Sequence, residues 1–165
     1  MPRPGHRRNF SPAARFRCIL KALLKLQTSS QPGPESAAAQ RRLAALREAL
    51  LHLHKALLDS ERIGYEAAFG QISSPYQFLH LVTHDPWFAW LTPMTRLITA
   101  ADEMLESKEP LTAARVEGLA REAGALLVAT KDGKGFSRHY DEALQRSPDV
   151  ILAHAVAAKL IRSKR

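Results

Sequence analysis

The stretch Leu43-Ala-Ala-Leu46-Arg-Glu-Ala-Leu50-Leu-His-Leu53-His-Lys-Ala-Leu57 decides the fold. Its leucines at 43, 46, 50, 53 and 57 recur at spacings of three and four, which lines them along one side of an α-helix as a seam for another helix. The pattern opens at Ser36. Apolar contact continues past Gly64 through Tyr65 and Phe69, and Gly70 supplies a residue suited to ending a helix. A helix this long, apolar along one stripe only, requires neighbours, and the sequence around it supplies them.

Downstream, a serine, threonine or aspartate repeatedly stands where a helix could begin. Ser74-Pro75 predicts a helix over 75–84, and Asp85-Pro86 a longer one over 86–106, because a short polar side chain caps and proline is harmless in the first turn. Pro93 lacks the N–H that would bond to residue 89, so a bend near Ala89 is expected. Thr112 caps a further helix whose Val116, Leu119, Ala120, Ala123, Leu126 and Leu127 form a stripe. The loop Asp132-Gly133-Lys134-Gly135 closes it. A short helix from 137 to about 145 follows, and Ser147-Pro148 opens a terminal helix. There Ile151, Leu152, Ala155, Val156 and Leu160 are expected to face inward, with Lys159, Arg162, Lys164 and Arg165 near the end that attracts cations. No alternating β-branched run competes with these assignments. The prediction is an all-α, single-domain helical bundle of about five to six helices over residues 36–165, preceded by a basic amphipathic extension over 1–35.

That extension holds the charge surplus. Of 24 Lys and Arg, the seven at Arg3, Arg7, Arg8, Arg15, Arg17, Lys21 and Lys25 precede the first acid, Glu35, which leaves the rest of the chain nearly neutral against 16 Asp and Glu. The net charge of +8 therefore says little about the bundle, and nucleic-acid binding by it is not expected. Phe16, Ile19, Leu20, Leu23 and Leu24 share a helical face opposite Arg15, Arg17, Lys21 and Lys25, so residues 12–26 could touch a membrane surface. Arg7-Arg8-Asn9-Phe10 offers an export signal, opposed by cations where such a signal needs an apolar core. Cys18, the single cysteine, excludes a disulfide framework. The apolar runs are too short for a transmembrane helix, and a cytoplasmic location is expected, with membrane-surface association or export as alternatives.

Candidate chemistry is sparse. His80 and His84 stand four apart on a helix, and His54 and His154 could join them from neighbouring helices to hold a divalent metal, with Glu61, Asp102 or Glu103 as a carboxylate. No glutamate stands three residues before any of the seven histidines, and His-Glu-x-x-His is absent, so the common metal-bundle patterns are missing. Trp87, Phe88 and Trp90 cannot share a helical face. The tryptophans are read most simply as core residues with Leu91 and Met94; the functional reading, set against core packing, is that Phe88 points elsewhere and that Trp87, Phe88 and Trp90 mark an exposed patch for a partner. Asp132 to Gly135 lacks the surroundings of a phosphate loop. Ser137, Arg138, His139, Tyr140 and Asp141 are adjacent and point different ways, so they form no triad.

Leu53 to Arg62, Ser74-Pro75, Asp85-Pro86-Trp87-Phe88-Ala89-Trp90-Leu91 and Pro148-Asp149-Val150 together resemble a family of small bacterial helical proteins for which no activity is established. The similarity spans roughly residues 43–160 and implies a bacterial, helical, cytosolic protein and no particular reaction. A fainter similarity, carried by Ser74 to His80, is to DinB-like metal-binding four-helix bundles, whose late His-x-x-x-His is missing here because His154 stands alone. The expectation is a non-enzymatic interaction or regulatory module, without a cofactor, that binds a protein partner or itself. For self-association the leucine seam is the expected interface. The alternative is a metal- or ligand-binding bundle built on the histidines.

Overall fold

The computed structural model describes residues 33–163. From Pro34 onward they form one compact unit. The amphipathic stretch at 12–26, the Arg7-Arg8 pair and Cys18 lie outside the described residues.

Six α-helices and one 3-10 helix make up the described part, with no strand among these residues. Helix α1 spans Pro34–Phe69. It starts two residues before Ser36, with proline and Glu35 in the first turn, where a missing N–H is harmless and a carboxylate meets the positive end of the helix dipole. Gly70, at φ +97°, takes the left-handed conformation that releases the chain. All five seam leucines are buried. They face inward against helices of the same chain, so the seam is an internal contact and the expectation that it mediates self-association is withdrawn.

Helix α2, Pro75–His84, is capped by Ser74, whose hydroxyl accepts from the Gln77 N–H. Asp85 then serves both neighbours: its N–H closes α2 on the Leu81 carbonyl, and its carboxylate accepts from the Trp87 N–H at 2.9 Å. The next segment differs from expectation. Pro86–Leu91 is a 3-10 helix, and α3 begins at Thr92 and runs to Glu106. Pro93 falls in the first turn of α3, where it starts a helix instead of bending one. The Ala89 carbonyl that Pro93 cannot bond is taken by the Thr92 N–H and hydroxyl, the latter at 2.7 Å.

Helix α4, Ala113–Leu126, is capped by Thr112 and buries Val116, Leu119, Ala120 and Ala123 as the stripe requires. After the 132–135 turn, α5 covers Phe136–Arg146 and α6 covers Pro148–Arg162. Only Ser147 separates them. Its N–H closes α5 on Ala143 and its hydroxyl accepts from Val150, so one residue reverses the chain. The long α1 packs most extensively on α6 and α3. Ion pairs pin its first half: Arg42 to Glu117 of α4 at 2.8 Å, and Arg47 to Asp102 of α3 at 2.5 Å.

Helix α6 contradicts the inward assignment. Ile151, Leu152 and Val156 are 51%, 67% and 54% exposed, whereas Val150 and Ala157 are fully buried. Small side chains let α6 lie close to its neighbours, and a Cβ on Gly124 of α4 would stand 3.1 Å from the Ile161 methyl group.

Candidate functional site

The buried polar residues Ser60 and Glu61 lie where the C-terminal half of α1, the 3-10 helix and α5 meet. Glu61, on the buried side of α1, is 6% exposed. Arg146, the last residue of α5, reaches it through Nη2 at 2.5 Å and donates from Nε to the Ser60 hydroxyl at 3.1 Å. A buried carboxylate is tolerated when its charge is matched and its lone pairs are occupied, and Arg146 does part of both.

Beside this pair lies a cavity of about 290 Å³ lined by Glu61, Pro86, Trp87, Trp90, His139, Glu142 and Arg146. The patch reading of Phe88 fails here. Phe88 is 2% exposed and belongs to the core, while Trp87 and Trp90 are half-buried and wall the cavity. At three residues per turn Phe88 and Leu91 eclipse within the 3-10 helix and both face inward, and Met94 in the first turn of α3 is buried with them. Trp90 stacks on His139 at 5.3 Å between centroids, and Trp87 meets Tyr65 edge-on at 5.9 Å. Both indole Nε1–H groups are buried without a hydrogen-bond partner. An unpaired buried donor costs about 1–3 kcal/mol, so this wall of the cavity carries a polar cost that the packing around the two rings must offset.

A second cavity of about 600 Å³ opens on the far side of Arg146, between α1 and the start of α6, with His52, Lys55, Asp59, Ile63 and Asp149 around its mouth. Arg146 lines both.

Behind the first cavity, Tyr140 is fully buried, and its hydroxyl shares a hydrogen bond of 2.6 Å with Nδ1 of His154. Burial pushes the phenol far above the ordinary tyrosine range, and burial together with the nearby Arg162 cation holds His154 below the ordinary histidine range. The pair is therefore neutral near pH 7 and serves as a hydrogen-bonded strut between α5 and α6.

The four histidines do not converge. His54 is lowered by burial and sits 3.3 Å from the Thr95 hydroxyl, and His154 is engaged by Tyr140. His80 and His84 stack at 4.5 Å with planes 20° apart, which turns ring faces, not in-plane lone pairs, toward one another. His84 Nδ1 also points back to the His80 carbonyl at 3.0 Å. Among the described residues, no group of three or more His, Cys, Asp or Glu is placed to share a metal ion. Asp102, offered as a carboxylate ligand, is held by Arg47.

Sequence inspection missed Arg146 and the Tyr140–His154 pair. Both residues of that pair lie seven positions from Ser147, and equal distances from a helix-hairpin turn come together in space, so a signal was present. Arg146 gave none, because its partner stands 85 residues earlier. Compared with family models, with curated proteins and with solved structures, the chain matches nothing. No helix among the described residues is long and apolar enough to cross a membrane.

Proposed function

We propose that this protein is a non-enzymatic interaction module that works through the outer face of α6. The observation that carries this reading is the exposure of Ile151, Leu152 and Val156 by more than half on one side of a single helix. Large aliphatic side chains clustered in water mark a surface that another macromolecule covers. The proposed setting is the bacterial cytoplasm, which rests on the resemblance read from the sequence alone, with membrane-surface contact through residues 12–26 as the alternative.

The paired substitution Leu152→Glu/Val156→Glu tests it. Because both side chains stand in solvent, the variant keeps its helical circular dichroism and melts within a few degrees of the wild type. Association of the full chain, with itself or with another macromolecule, is lost on gel filtration. A melt lowered by more than about 10 °C, equivalent to roughly 3 kcal/mol at this size, would place the face in the core and end the reading. So would stoichiometric zinc, iron or nickel in purified protein that disappears with His80→Ala/His84→Ala.

The cavity beside Arg146, walled by Trp87, Trp90 and His139, supports a second reading, a small-molecule site. Trp87 and Trp90 are the only tryptophans in the chain, so intrinsic fluorescence reports on that cavity directly. Titration with acetate or inorganic phosphate changes the emission if acceptor-bearing ligands enter. Emission unchanged up to tens of millimolar would remove this reading.

A further inference from the structure

Helix α6 presents a stripe that is apolar in its middle and oppositely charged at its ends. Asp149, Leu152, Val156 and Lys159 follow one another at spacings of three, four and three, so they share one side of the helix, and all four are exposed. Neither Asp149 nor Lys159 joins an ion pair among the described residues. Lys55, across the groove from Asp149, is already bound to Asp59 at 2.6 Å.

The spacing is symmetric about a point midway between Leu152 and Val156. Turned end for end, the stripe presents the same shape with its charges exchanged, which is the condition for a surface to complement a second copy of itself across a two-fold axis. We infer that the occupant of this face is another copy of the chain, packed with the two α6 helices antiparallel. Leu152 then meets the partner's Val156, and Asp149 meets the partner's Lys159, each contact made twice. Parallel packing is disfavoured, because it sets Asp149 against the partner's Asp149 and Lys159 against the partner's Lys159. Ile151 and Ala155 widen the apolar strip on one flank. Two helices of this length bury less than the roughly 1,600 Å² of a standard stable interface, so the dimer forms reversibly and in the micromolar range. This inference rests on the reading of α6 as a docking surface.

Sedimentation equilibrium of the full chain at rising concentration and low salt tests it. The expected result is a mass that climbs from 18.3 kDa toward twice that value. Asp149→Lys and Lys159→Asp each weaken association about tenfold, by setting like charges opposite one another. The double exchange Asp149→Lys/Lys159→Asp restores most of it, as does mixing the two single variants. Each single variant also opposes the helix dipole, and the double carries both penalties, so recovery in the double cannot come from improved folding. A wild-type chain that stays monomeric up to hundreds of micromolar, while Leu152→Glu/Val156→Glu folds normally, overturns self-pairing and leaves α6 as a docking face for a different macromolecule. An unfolded Leu152→Glu/Val156→Glu variant overturns both readings. A dimer indifferent to every one of these substitutions lies elsewhere and also overturns the inference.

Discussion

Helices α1 and α6 are both rich in aliphatic residues, yet one hides its large side chains and the other displays them. In α1 the leucines at 43, 46, 50, 53 and 57 are all buried, and charged residues such as Arg41, Glu48 and Lys55 occupy other sides of the helix. Only one orientation then removes the apolar stripe from water. In α6 the run Val150 to Ala158 is interrupted only by His154, so several orientations bury similar apolar area and polarity does not choose among them. Shape chooses. The side with Val150 and Ala157 permits a close approach to the neighbouring helices, and the bulkier Ile151, Leu152 and Val156 are left outside.

The contrast can be broken at several points. Leu53→Ala in α1 removes a fully buried side chain and is expected to cost about 3 kcal/mol, read as a fall in the thermal midpoint of roughly 10 °C. Arg146→Met strips the partner from buried Glu61 and should cost about 2 kcal/mol, below the roughly 3–5 kcal/mol of a fully buried pair because the guanidinium is partly exposed. Denaturant titration measures it, and a cost under 0.5 kcal/mol would show that Glu61 finds another donor. Ala157→Leu adds bulk to a helix face with no room and should cost about 1.5 kcal/mol.

Acid sharpens the comparison further. His54 of α1 and His154 of α6 both have folded-state values below the ordinary 6.5. The unfolded chain therefore takes up protons first, so the stability these groups contribute is complete above about 6.5 and drains away as pH falls toward and through their folded values. Thermal midpoints should decline over that window, and His154→Gln should flatten part of the slope. The smallest effect is expected for Leu152→Ala, within about 0.5 kcal/mol of the wild type, although the residue is as large as Leu53. A loss near that of Leu53→Ala would return α6 to the inward orientation that its composition suggested.

Most of the local structure was legible in the sequence, because capping is local chemistry. Ser74, Asp85, Thr112 and Ser147 each accept from a backbone N–H two or three residues on, as their positions imply. The segment around Trp87 to Pro93 was not, since α and 3-10 turns begin with the same residues and differ only in which carbonyl each N–H selects. That choice moved Phe88 into the core and the two indoles to the cavity wall. The candidate site was mostly hidden for a related reason. Glu61 was noticed as a carboxylate, while the cation that makes its burial tolerable arrives from another helix.

The sequence by itself determined that the described chain is helical, where the helices other than α3 begin and end to within a few residues, and that α1 is the element around which the others assemble. Those properties follow from hydrogen bonds and periodicities that span four to seven residues. Which side of α6 faces water, which aromatic ring is interior, and which charges meet were decided only by tertiary structure. Each depends on the fit between surfaces distant along the chain, and an evenly apolar helix carries no local mark of which surface it will meet.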